Sequence, residues 1–186
     1  MIENHFLRWI SGLLPDRPEA VEAIRRSLAQ APTRIDDAHR ELFSGYDTDP
    51  ANLISITAEL SNSDYPGLVV ARDIPFLSTC AHHFLPFHGF VDVIYQPGPY
   101  IIGLGKLPRI VQCRAGRFQI QEFLVREIAT DLVTHAKAKG AYVRAKAIHS
   151  CVCFRGPKSF STTNVTSFLA GSITAPDFSS ILNSLC

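Results

Sequence analysis

The sequence predicts an α+β domain preceded by a helical stretch. Three observations predict it. Up to residue 45 the apolar residues recur at helical spacing. From about residue 66 short apolar runs appear, bounded by Gly and Pro. Between two groups of these runs lies one long amphipathic segment, residues 119–138. Antiparallel strands with a long helix inserted between hairpins pack as a sheet with a helical layer.

In chain order, Phe6, Ile10, Leu13 and Leu14 form one helical stripe. Asp16 is expected to cap a second helix with Pro18 in its first turn, and Val21, Ile24 and Leu28 keep its period. Ala31-Pro32 breaks that helix. Ile35, Ala38 and Leu42 mark a third, which Ser44-Gly45 ends. Residues 67–74 and 90–95 read as strands, with a turn at Gln96–Pro99. Residues 106–113 read as a short helix. Over 119–138, Ile120, Phe123, Leu124, Ile128, Leu132 and Ala136 share a face, and Lys137, Lys139 and Gly140 suit the helix end. A long strand is expected over 141–154, another over 160–171, and a terminal helix over 177–185.

Composition narrows the function classes. The chain has 186 residues, 46% hydrophobic and 19% charged, enough for a core and unlike a disordered protein. Its 18 basic and 17 acidic residues leave a net charge of +1, which disfavours a nucleic-acid binder. No apolar run is long enough to span a bilayer, so no membrane role is expected. The odd cysteine count (Cys80, Cys113, Cys151, Cys153 and Cys186) with no secretion signal predicts reduced thiols and a cytoplasmic protein.

The chemistry lies in four places. Cys80-Ala81-His82-His83 puts Cys and His three apart, a spacing that can reach one zinc ion. His149, Cys151, Cys153 and Arg155 would share a strand face, an unusual mixture for a plain core. Any one of these residues could be an ordinary surface histidine or a small buried hydrophobe. Two clusters that each hold Cys and His favour a metal site, and Cys153 remains open as a fourth ligand. Gly103–Arg109 is either an anion-holding turn or a solvated basic one. Glu122, at the start of the long helix, either favours the helix dipole or accepts from a purine N–H edge.

Taken together these pieces resemble the GTP cyclohydrolase I family. The similarity runs from about Ala31 to the C-terminus. It rests on Pro32-Thr33-Arg34, Phe43-Ser44-Gly45, residues 78–84, residues 103–111, Gln119–Glu122, His149-Ser150-Cys151, Arg155-Gly156 and residues 161–167, in the family's order. The resemblance implies the tunnelling fold (T-fold), an antiparallel sheet with helices on one face. Here it would be a catalytic domain over 46–186 behind an N-terminal helical extension over 1–45. It implies a homodecamer of two stacked pentamers with active sites between subunits. Zn2+ would be held by Cys80, His83 and Cys151 and would acidify a water for attack on purine C8. His82 and His149 would move protons as formate leaves, on the way to dihydroneopterin triphosphate. Gln121 and Glu122 would hold the guanine edge, and Arg34, Lys106, Arg109 and Arg155 the phosphates.

Three residues depart from the family's pattern: Ala81 in place of Glu, Gly105 in place of Ser, and Asp37 in place of a basic residue. They leave the metal and proton-transfer residues intact and weaken the triphosphate pocket. A paralogue acting on a less phosphorylated or modified guanine nucleotide or nucleoside is therefore an alternative. A non-catalytic zinc-containing purine- or pterin-binding subunit is another.

Overall fold

A computed structural model describes residues 5–60 and 65–184. The chain divides into two compact units, Met1–Glu41 and Leu42–Cys186. The first holds helices α1 (His5–Leu13) and α2 (Pro18–Gln30) and most of α3 (Arg34–Leu42). None of these helices has a fully buried residue. Pro18 does open α2, where its missing N–H costs nothing, but Asp16 is not its cap: Arg17 occupies that position and no side chain bonds the helix end.

The second unit begins with a 3₁₀ turn (Ser44–Asp47), α4 (Pro50–Leu53) and β1 (Ile56–Glu59). It continues through β2 (Val69–Cys80), β3 (Pro86–Gln96), β4 (Tyr100–Ile102), α5 (Lys106–Ala115) and β5 (Phe118–Gln119). It closes with α6 (Gln121–Thr134), β6 (Gly140–His149), α7 (Ser150–Cys153), β7 (Asn164–Gly171) and α8 (Phe178–Asn183). The main sheet has the order β5-β2-β3-β6-β7, with β5 parallel to β2 and every other pair antiparallel. β1 and β4 form a separate ribbon. This is the α+β class expected from the sequence.

Alternation along the strands sorts the two faces. Ile74, Phe76, Phe87, Val91, Val93, Tyr95, Ala141, Val143 and Ala145 form one core with Leu107, Ile110 and Val111 of α5 and Leu124, Ile128 and Leu132 of α6. The opposite face carries Ile94 and Tyr142, which meet Phe178 and Ile181 of α8. The rest of that face leaves Leu77, Phe90, Ile148, Val165 and Leu169 exposed. Pro75, which has no N–H to give, sits where β2 is a free edge, since β5 pairs only with Thr79 and Cys80.

Several boundaries differ from the expectation. The strand expected at 67–74 runs on to Cys80 through a bulge, where Asp73 has φ 54 and gives its N–H to the Asp92 carboxylate at 3.0 Å. The strand expected at 90–95 starts at Pro86, and that expected at 160–171 starts only at Asn164. The long helix is shorter, Gln121–Thr134: at its start Gln119 pairs with β2, and past its end Lys137 is left-handed with φ 55. The largest difference is the strand expected at 141–154. It ends at His149, paired with Phe87, and Ser150–Cys153 curls into a helical turn closed by Phe154 N–H on Ser150 O at 2.9 Å. The partner strand β3 begins at Pro86, so beyond His149 there is no ladder to extend. The terminal helix covers 178–183; residue 185 and Cys186 lie outside the described residues.

Candidate active site

The site forms where β2 and β6 end on the helix-covered face, beside the first turn of α6. Cys80 closes β2, and a tight turn follows. Phe84 N–H donates to Cys80 O at 2.8 Å, and Cys80 N–H donates to Leu85 O at 2.9 Å. The turn needs a left-handed residue, and Phe84 supplies it with φ 56. For a bulky side chain that costs on the order of 1–3 kcal/mol. Contact of Phe84 with the tilted Phe118 ring, centroids 4.8 Å apart, helps to offset it. This turn carries His82 and His83 back toward Cys80, whose Sγ lies 3.8 Å and 3.9 Å from their Nδ1 atoms. On the far side, the helical turn after His149 delivers Cys151.

The ligand atoms of Cys80, His83 and Cys151 all lie within 4.8 Å of one another. In a tetrahedral zinc site such atoms stand roughly 3.5–3.8 Å apart, so a small closure onto an ion suffices. The chemistry of the set also fits. Burial first, and then the neighbouring Cys80 sulfur, push the Cys151 thiol up, while Arg155 opposes this. Two adjacent thiols resist joint ionisation unless a cation sits between them. Two sulfurs and one imidazole, with no fourth ligand in the group among the described residues, match a catalytic zinc rather than a closed structural one. Cys153 is 2% exposed and is not part of the group. His149, Cys151, Cys153 and Arg155 therefore do not share a strand face, because the strand stops at the first of them.

A cavity of about 250 Å³ opens on this group and is lined by Cys80, His82, His83, Gln121, Glu122, His149 and Cys151. His149 stacks face to face on Phe87, centroids 4.4 Å apart and planes at 8°. Its Nε2 lies 2.7 Å from Gln121 Oε1. Burial lowers the His149 pKa, with Glu122 pulling the other way, so the ring is neutral near pH 7. Glu122 is exposed and reaches the cavity.

The cationic residues are placed differently. Arg155 is exposed and close enough to Cys151 to act on its ionisation. Lys106 opens α5 and is absent from the cavity wall; Arg109 lines a separate cavity with Ser44, Gly45 and Gln112. Arg34 is the first residue of α3, exposed, in the helical unit. Asp37 lies in the first turn of that helix, where a carboxylate favours the dipole whatever else it does. Gly105 precedes α5, and a Cβ there would meet nothing within 4 Å.

Sequence reasoning missed three contributors. Phe87 is one. Thr166 is another: its hydroxyl is the only buried side-chain polar atom without a partner among the described residues, and it lines this cavity. The third is Arg117. Its guanidinium bonds Gly45 O (2.7 Å) and Thr48 O (3.1 Å) from Nη2 and Cys113 O (3.1 Å) from Nε, and lies over the Tyr46 ring, fixing the segment before α4. Only the match at 161–167 hinted at any of them.

Comparison with known proteins identifies the family. The profile of the family described as GTP cyclohydrolase I matches residues 19–182. A relative named GTP cyclohydrolase 1 from Campylobacter lari is 42% identical over 166 residues, 86% of each chain. One of the same name from Leifsonia xyli is 38% identical over 152 residues, 82% of this chain and 79% of the other. Among solved structures, an apo archaeosine synthase QueF-like protein aligns with TM-score 0.47 and 16% identity, over 59% of this chain and 99% of its own. A match of this length, through both halves of the Cys/His group, means that the chain belongs to the GTP cyclohydrolase I family, a family of hydrolases.

Proposed function

We propose that this protein is a zinc-dependent, cytoplasmic enzyme that opens the imidazole ring of GTP, releasing C8 as formate and leading to dihydroneopterin triphosphate. The observation that carries the reading is the convergence of Cys80, His83 and Cys151 with His82, His149 and Glu122 on one cavity. A zinc ion held by the three ligands supplies a Lewis acid that brings the pKa of water towards ~7. Glu122 accepts from the N–H edge of the guanine. Gln121, whose side-chain amide is engaged within the protein, serves that edge through its backbone N–H at the open first turn of α6. His82 and His149 take and return the protons that ring opening requires. Arg34, Lys106, Arg109 and Arg155 receive the phosphates. On this reading residues 46–186 are the catalytic domain and residues 1–45 an extension.

The cavity in one chain is below the roughly 300–1,000 Å³ of a typical small-molecule site. Arg109 stands away from it, β2 and β7 leave open edges, and one sheet face leaves Leu77, Phe90, Ile148, Val165 and Leu169 exposed. Each of these supports a homo-oligomer, a decamer of two pentamers, in which a neighbouring chain completes the phosphate pocket.

The first test is formate release by zinc-loaded protein offered GTP, GMP and guanosine; no formate from any of them ends the reading. Gly105 and Asp37 favour a second version, in which the triphosphate is handled weakly. A charge-assisted hydrogen bond is worth about 1.5–3 kcal/mol, roughly one to two decades. Wild type is then expected to prefer GTP over GMP by less than about tenfold, and Asp37→Arg with Gly105→Ser to gain at least a decade on GTP. The serine has room, since nothing lies within 4 Å of the Gly105 Cβ position. A strong wild-type preference for GTP with no gain in the double variant would make the departures neutral.

His82→Ala is expected to keep zinc and oligomeric state while turnover falls by about a hundredfold or more, the size of a lost proton-transfer group. Unchanged formate release removes His82 from the reaction. A purely binding subunit would show no turnover to lose.

A further inference from the structure

Gln121 opens α6, yet its side chain is buried beneath the sheet end at 3% exposure. Its Nε2 donates to Ala145 O of β6 at 3.1 Å and to Asn164 O of β7 at 3.1 Å. An amide nitrogen has two hydrogens, and both go to main-chain carbonyls that can only accept. Turning the amide over would set oxygen against two oxygens, so its orientation is fixed. Oε1 therefore faces His149 Nε2 at 2.7 Å, and an amide oxygen only accepts. The hydrogen in that contact must belong to His149 Nε2. A neutral imidazole with its hydrogen on Nε2 keeps its lone pair on Nδ1. The stacked Phe87 ring fixes the plane in which that lone pair lies.

We propose that Gln121 is a positioning residue: it holds His149 in the Nε2–H tautomer, so that Nδ1 is the nitrogen that takes and returns the proton. Its side chain does not grip the purine. The neighbour Glu122 differs in being exposed to the cavity. The carbonyls that lock the amide come from two adjacent strands, β6 and β7, so the histidine's tautomer is set by the sheet itself.

This inference rests on the ring-opening reading, and a double-mutant cycle separates the two. With wild type, Gln121→Met, His149→Ala and the double variant, kcat and KM for GTP are measured, and GTP binding to metal-stripped protein is followed by calorimetry. Gln121→Met is expected to lower kcat about tenfold to a hundredfold, as orienting partners do, with KM and GTP affinity moved by less than about threefold. In the His149→Ala background the same change is expected to cost less than about twofold, because Gln121 acts through His149. If Gln121→Met does not fold, nitrogen NMR of the wild-type histidines still reads the tautomer, and His149 is expected to carry its hydrogen on Nε2 with Nδ1 bare. A raised KM or weakened GTP binding in Gln121→Met, a full additional loss in the His149→Ala background, or the opposite tautomer in wild type overturns the positioning role. Wild type that releases no formate overturns the ring-opening reading instead, and this inference with it.

Discussion

Cys151→Ala is expected to reduce zinc to below about a tenth of an ion per chain and formate release by more than about a hundredfold. Altering even the partner of a metal ligand costs 10–100-fold in metal affinity or activity, so losing a ligand should exceed that range. The geometry says why this residue matters more than its neighbours. Cys80 and His83 come from one turn at the end of β2; Cys151 comes from the far side, after β6. Without it the ion is held from one side by two ligands. Cys153→Ala, two residues on, is expected to keep full zinc, because that thiol is buried apart from the group. Metal analysis of the two variants side by side decides the matter. Full zinc in Cys151→Ala, or loss in Cys153→Ala, would mean the group is mis-assigned.

Asp131→Ala is expected to destabilise the fold by about 3–5 kcal/mol, the cost of breaking a buried pair from one side. Asp131 is 3% exposed in the last turn of α6. Arg114 of α5 meets it with both arms, Nε to Oδ2 at 2.7 Å and Nη2 to Oδ1 at 2.6 Å, and reaches Glu127 at 3.4 Å. Gln119 joins the same network through Glu127 Oε2 at 2.9 Å and Arg114 O at 3.1 Å. An arginine guanidinium stays protonated whatever its surroundings, so deprotonation cannot relieve the stranded charge. For a chain of this size each kcal/mol moves Tm by roughly 2–4 °C, which predicts a fall on the order of 10 °C at equal protein concentration. Replacing both partners, Asp131→Leu with Arg114→Met, should recover much of the loss, because an apolar pair leaves no buried charge. A single-variant loss under about 1 kcal/mol would show the pair to be solvated. The network also bears on the site: it anchors Gln119, whose strand pairs with Cys80.

What lay in contiguous residues was legible without the fold. Helical period, turn residues and strand runs gave α1 to α3, α5, α6 and the four long strands, because each is written into neighbours along the chain. The two Cys/His clusters and Glu122 were legible for the same reason, as residue types whose chemistry does not depend on position. Other features depended on partners far away in sequence. Cys151 rather than Cys153 joins the group because β6 runs out of ladder at Pro86, more than sixty residues upstream. β5 exists only because β2 offers an edge to it. Gln121 looks like any polar residue at a helix start; burial under two strand carbonyls turns it into a fixed acceptor for His149. Arg114, Arg117 and Asp131 carry no signal in the sequence. Packing buries Asp131 and half-buries the two arginines, and an ion taken from water must find its partners inside the fold. The sequence by itself determined which elements form and which side chains can do chemistry. The tertiary structure decided which of them meet, because strand ends, burial and hydrogen-bond partners are set by segments that touch only after folding.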